Sequence, residues 1–274
     1  MHTRLTTSLF PKLLLSMAVL LSACGLRADE VKIGGTGNAL GTMRLLAEAY
    51  SRKNSDVKVT VLSSIGSSGA ILGVPKGALD IGLISRPLTD EERAKDLVAY
   101  EYARTPTVLA VSQKTPVHGV TREQLADIYA GRFSQWSNGT PVRPVLRQPG
   151  DDNTRQIKGL SPAIDEALGL ADKRQGMPFA VIDQEAADKI ENIPGAIGVT
   201  TLGLIRSENR PLRPLALDGV EPTVNNGRSG SYPLIKRFFF ITKSSPSPAA
   251  VQFIAFVKSP AGRDILVQTG HWLP

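Results

Sequence analysis

From residue 31 onward, apolar positions switch repeatedly between two periods. Val31–Gly35 (VKIGG) is a short strand-like run ending in glycines. Leu40, Met43, Leu46, Ala47 and Tyr50 then recur at helical spacing, with Asn38 as the expected N-cap. Residues 57–64 (VKVTVLSS) alternate as a strand does, and GSSGAILGVPKG turns into a short helix. Residues 78–85 (ALDIGLIS) read as a buried strand, and Thr89 with Glu92 forms a capping box that opens another helix. Thr121 and Gln124 repeat that device ahead of 126–131 (ADIYAG), and Ser161-Pro162 starts a helix by N-cap and first-turn proline. Strands are expected at 142–147, 196–201 and 231–242, with two helices, 248–258 and 260–269, closing the chain. Strand, loop and helix in alternation predict an α/β fold with a mostly parallel sheet.

The composition is that of a globular protein: 274 residues, 42% hydrophobic and 21% charged. No fixed-period repeat or long low-complexity tract is present. The first 24 residues change the picture. Arg4 and Lys12 precede the apolar run Leu13–Leu21, and small residues lead to Cys24, a pattern that predicts an export signal rather than a membrane span. Leu21-Ser22-Ala23-Cys24 further predicts lipidation at Cys24, against the plainer alternative of cleavage near Ala23 to Ala28 and a soluble product. Cys24 is the sole cysteine, so no internal disulfide can form. Without Arg4 and Lys12, 30 of the 32 basic residues remain against 25 acidic ones, a net charge of +5. That charge suits an anionic ligand, but no basic stretch interleaved with aromatics speaks for nucleic acid.

Three junctions share one design. Residues 34–38 (GGTGN), 65–70 (IGSSGA) and 150–154 (GDDNT) put small or hydroxyl residues between a strand and a helix. Such a junction aims free backbone N–H groups and a positive helix end at one spot, off the carboxyl ends of the strands. Thr36, Ser67, Ser68 and Thr154 add hydroxyl donors, and Ser85-Arg86 and Arg147 stand at strand ends, where a guanidinium fork suits an oxyanion. Each junction alone reads equally as a capped helix without a ligand. Full dinucleotide or P-loop glycine spacing is missing, as are a GxSxG elbow and an HExxH metal motif. His118 and His271 have no metal-ligand neighbours in sequence, so neither an enzyme nor a metal or other cofactor is expected.

The segments GGTGN, SSIGSSGAI, DIGLISRPLTDEE, VTREQLADIYAGRFSQWSNG, VLRQPGDDNTR, GAIGV and SYPLIKRFFF, in this order, resemble the phosphate-binding (PBP-like) proteins of bacterial ABC uptake systems. The resemblance implies a two-lobed periplasmic binding protein fold of type II-like form, with the ligand in a cleft that closes by hinge motion. Lobe one would take 29–106 plus 230–274 and lobe two 107–229, with crossings near Arg104 to Val111 and Asn226 to Tyr232. It also implies a monomer that delivers phosphate to an inner-membrane ABC permease. The family's anion loops fall on Thr36 and Gly37, on Ser67 and Ser68, and on Ser85 and Arg86, with its third-loop arginine on Arg147. After that arginine the family has a Gly-Ser-Gly-Thr run. Here Gly150-Asp151-Asp152-Asn153-Thr154 keeps the glycine and, with one residue inserted, the threonine.

The loss of that serine removes a donor and leaves two carboxylates to be explained. Either Asp151 or Asp152 could accept the proton of hydrogen phosphate and so reject sulfate, which carries none. Equally, both could cap the following helix. Molybdate, tungstate or sulfate is therefore a rival ligand, and a sensor or envelope-interaction protein that kept the fold without transport is a rival class. Gly25, rather than an aspartate, follows the cysteine, a pattern that resembles the outer-membrane default of lipoproteins and mildly favours the latter.

Overall fold

The computed structural model describes residues 29–274. The expected signal segment and Cys24 lie outside them. No helix of the described residues is long and apolar enough to cross a membrane. The chain begins β1 (Asp29–Gly35), α1 (Gly37–Ser51), β2 (Val57–Val61), α2 (Gly66–Gly73), β3 (Ile81–Ile84), α3 (Asp90–Arg93) and β4 (Leu97–Ser112). It continues through β5 (Gly119–Val120), α4 (Arg122–Ala130), β6 (Arg143–Pro144), α5 (Asp152–Lys158), α6 (Pro162–Asp172), α7 (Asp183–Asn192) and β7 (Ala196–Thr201). The remainder is α8 (Leu202–Ser207), β8 (Leu212–Pro214), β9 (Ala216–Leu217), α9 (Val224–Ser229), β10 (Ile235–Lys243), α10 (Pro248–Lys258) and α11 (Pro260–Gln268).

Local rules set most of these boundaries. Both capping boxes form: Thr89 and Glu92 open α3, and Thr121 and Gln124 open α4, each with side chain and backbone exchanging bonds. Ser161 and Ser247 cap helices that begin with proline. Helix α1 starts earlier than expected, with Thr36 rather than Asn38 at its N-cap and no side-chain cap bond. Gly35 explains the sharp entry. At φ +152, a Cβ there would lie 2.0 Å from the Leu83 carbonyl oxygen, which also accepts from Thr36 N–H.

The main sheet runs β2-β1-β3-β10-β4-β7-β6, with β8 also pairing β4. It is mixed rather than mostly parallel. β1, β2 and β3 are parallel, as are β6 and β7, but β10 and β4 pair antiparallel with each other and with their outer neighbours β3 and β7. Strand β10, late in the chain, thus separates β3 from β4. Strand β4 is long because it serves two halves. Residues 97–106 pair with β10, and from Thr107 the partner is β7.

The strands feed apolar residues alternately to opposite faces, as the two-residue period requires. In the first half, Tyr102, Phe238 and Phe240 join a core with α1 and α10, while Phe239 and Ile241 join one with α2. In the second, Leu109 and Val111 face α4 and α6, while Val108 and Ala110 face α7 and α8. The C-terminus returns to the junction of the halves. Arg104 and Trp272 exchange backbone bonds, and Thr105 Oγ1 donates to Gly270 O at 2.8 Å while accepting from Gly203 N–H at 3.1 Å.

Candidate functional site

A cleft of about 460 Å3 opens between the two halves. Its first wall is built from the ends of β1, β2 and β3. Thr36 lines it from the start of α1, and Ser67 and Ser68 from the first turn of α2. Ser67 Oγ accepts from Ser85 N–H at 3.1 Å and shares a hydroxyl contact of 3.4 Å with Ser85 Oγ, which fixes the second loop to the third strand. Arg86 follows, but its fork is occupied. Nη1 and Nη2 each donate to Glu92 at 2.7 Å. Arg86's hydrogen bonds hold the Glu92 carboxyl down to about 2, against its partial burial.

The opposite wall comes from the loop before α5 and from the start of α7. Arg147 is buried; Nη2 donates to Asp151 at 2.8 Å and Nη1 to Asp183 at 3.1 Å, while its Nε has no partner. Asp151 also caps α5, accepting from Asn153 and Thr154 N–H groups. Asp152 pairs with Lys236 of β10, which is wholly buried, and with Arg155 at 3.2 Å. Burial alone would raise the Asp152 carboxyl, but the charge of Lys236, with its hydrogen bond and Arg155, holds it below the ordinary range. Both carboxylates of the third loop therefore line the cleft, and each is already bound by cations.

Thr36, Ser67, Ser68, Ser85, Arg86, Arg147, Gly150, Asp151 and Asp152 all border the cleft. Gly37 and Thr154 do not. Gly37 packs on α7, where a Cβ would meet Gln184 Oε1 at 2.5 Å, and its carbonyl accepts from Gln184 Nε2. Thr154 is buried beside Tyr129 and Ile157 in the second half.

Among the further residues that line the cleft are Asn38, Asn153, Asp183 and Lys236. Asp183 is the best connected. It accepts from Arg147, from Asn153 Nδ2 at 3.3 Å, and from Asn38 N–H at 2.9 Å. Burial pushes its carboxyl above the ordinary range, although Arg147 opposes this. The sequence signal available for it was an aspartate two residues after Val181 at the head of an alanine-rich helix, which reads only as helix-dipole complementation.

The electrostatics are balanced. Arg86, Arg147, Arg155 and Lys236 face the carboxylates of Asp151, Asp152, Asp183 and Glu92. An anion here would be held by aimed N–H and O–H dipoles more than by excess positive charge. Among the described residues no cluster of His, Cys, Asp and Glu is suited to a metal.

An α/β molecule in two halves, joined through the shared strand β4 and with a polar cleft between them, is a solute-binding protein in architecture. The chain belongs to the PBP superfamily: residues 23–261 match the family described as PBP superfamily domain. It is 24% identical to the phosphate-binding protein PstS of Bacillus subtilis over 90% of this chain and 81% of that one. Against PstS of Borreliella burgdorferi the identity is 26%, over 88% of both chains. A Clostridium perfringens structure, described as a phosphate ABC transporter substrate-binding protein with bound phosphate, superposes with a TM-score of 0.76 at 25% identity, over 90% of this chain and all of that one. A phosphate transport receptor from Vibrio cholerae shares the fold with a TM-score of 0.61, at 23% identity.

Proposed function

We propose that this protein captures inorganic phosphate outside the cytoplasm and presents it to an ABC permease, and that it is a binding protein rather than an enzyme. One observation carries the reading: the starts of α1, α2 and α5 converge with Arg147 and the hydroxyls of Ser67 and Ser85 on one cleft. The starts of α1 and α2 carry no side-chain cap, and helix starts of this kind supply N–H donors that suit a tetrahedral oxyanion, whereas the start of α5 is capped by Asp151. The names of the relatives point to the same ligand. In this reading the protein is a monomer exported by its first 24 residues and anchored through a lipid on Cys24. Lobe one is 29–106 plus 230–274, lobe two is 107–229, and they hinge where β4 changes partner.

A second oxyanion, sulfate or molybdate, is favoured by one feature. Asp151 and Asp152 each already accept from three donors, cations among them, which leaves little acceptor capacity to single out the proton of hydrogen phosphate. The test is a thermal-shift series with phosphate, sulfate, molybdate and tungstate at fixed ionic strength. Phosphate at 100 times its dissociation constant stabilises by about 2.7 kcal/mol. Arg147→Ala, which removes the central charged donor, is expected to abolish that shift. A response to sulfate or molybdate and not to phosphate would overturn the ligand assignment, and silence to all four would overturn the uptake reading.

A further inference from the structure

The Asp183 carboxylate stands where an anion belongs. Helix α1 is 15 residues long, has no acidic residue in its first turn and no side-chain cap at Thr36. A helix end of this kind favours a negative charge from outside. That charge comes from the other wall of the cleft: Asn38 N–H donates to Asp183 Oδ2 at 2.9 Å. The second carboxylate oxygen accepts from Arg147 Nη1 at 3.1 Å and Asn153 Nδ2 at 3.3 Å. A helix start, a guanidinium and an amide are the donors with which the site would grip a bound oxyanion, and here they are turned on a residue of the chain itself.

Asp183 is also a link between the walls. Asn38 lies in the first turn of α1 and Asp183 in that of α7, 145 residues away. Its neighbour Gln184 donates to Gly37 O at 2.9 Å, so the start of α7 grips the start of α1 twice. Lys236 and Asp151 also act on the Asp183 carboxylate, one drawing it toward the ionised form and the other away from it. Among the described residues around it, the buried side-chain atoms without a partner are Nε of Arg147, a donor, and the amide oxygens of Asn38, Asn153 and Gln184.

We propose that Asp183 is an internal anion, which occupies the seat of the ligand, holds the two lobes together in its absence, and is exchanged for phosphate on binding. This rests on the phosphate reading for the identity of the incoming anion, but not for the link between the lobes. An intramolecular competitor lowers the observed affinity by the fraction of time it holds the seat. It also sets a threshold: weak oxyanions fail to displace it, whereas one that replaces all three of its bonds succeeds. The alternative role for a carboxylate in this position, accepting a proton from the ligand, predicts the opposite sign on mutation.

The experiment is phosphate titration calorimetry on the full chain and on Asp183→Asn and Asp183→Ala, with the ligand-free radius of gyration measured by small-angle scattering. Asparagine keeps an oxygen for Asn38 N–H and removes the charge; alanine empties the seat. Both are expected to bind phosphate about tenfold more tightly, the scale of one charge-assisted hydrogen bond. The ligand-free variants should also be more expanded than the ligand-free wild type. Weaker binding in both variants would overturn the proposal and make Asp183 a partner of the ligand; unchanged affinity with unchanged size would overturn it too. If neither wild type nor variants bind phosphate, the ligand assignment fails, and the scattering decides alone: expansion of the variants upholds the link, and no expansion removes it.

Discussion

Arg147 donates to two carboxylates from different elements and is itself almost wholly buried, so it organises the second wall. Its place beside the cleft was legible, because a strand-end arginine before a glycine turn suits an oxyanion. Its partners were not. Asp183 follows 36 residues later and Lys236 pairs with Asp152 across 84, distances over which no local spacing rule operates. Lys236 is especially opaque, since a lysine in an alternating strand reads as solvent-facing, yet it is completely buried. His271 makes a separate point. It is packed against Phe238 and bonded to Thr269 Oγ1, and burial pushes it down to about 4. Its folded value lies below its unfolded value near 6.5, so the unfolded chain takes up a proton first as pH falls. Its contribution to stability is complete above about pH 6.5 and is lost progressively down to about pH 4, roughly 3 kcal/mol in all. Denaturation midpoints of the wild type and His271→Gln across that range should therefore differ in slope, and parallel curves would refute the assignment.

Helix α1 shows how an element can be read correctly and its role missed. Its apolar stripe, Leu40, Met43, Leu46 and Tyr50, is buried in the first core as the spacing predicts. Its other face carries Gly37 and Gly41, one turn apart, and there α7 and α8 come close. A Cβ on Gly41 would lie 2.4 Å from Ser207 Oγ and 2.7 Å from Glu208 Cγ. Gly41→Val should therefore push α8 away and cost about 2 kcal/mol as an overpacked contact, despite the gain in helix propensity over glycine. Urea denaturation measures this, and a neutral or stabilising result would mean the contact is slack. Helix α7 was not among the expected elements, although Ala186, Ala187 and Ile190 recur at helical spacing and form its buried stripe. The expected strand at 142–147 shrinks to Arg143–Pro144, because Val145 keeps one backbone bond to Ile197 and Leu146 leaves β7 for an isolated parallel bridge with Phe179. The capping boxes, by contrast, are local in both sequence and space, and they formed as written.

The sheet as a whole owes its order to a strand made late. β10 lies between β3 and β4, so neither of those strands reaches its inner partner until residues 235–243 are available. Until then each presents an open hydrogen-bonding edge, and Tyr102 lacks Phe240, whose ring stacks on it at 4.0 Å. A ribosome-arrested chain ending at residue 234 is therefore expected to be degraded by a low dose of protease that spares the full chain; equal resistance would show that the first half closes without β10. Order along the chain and order across the sheet thus differ here. A chain whose central strand is supplied last cannot close its main sheet until synthesis is nearly complete.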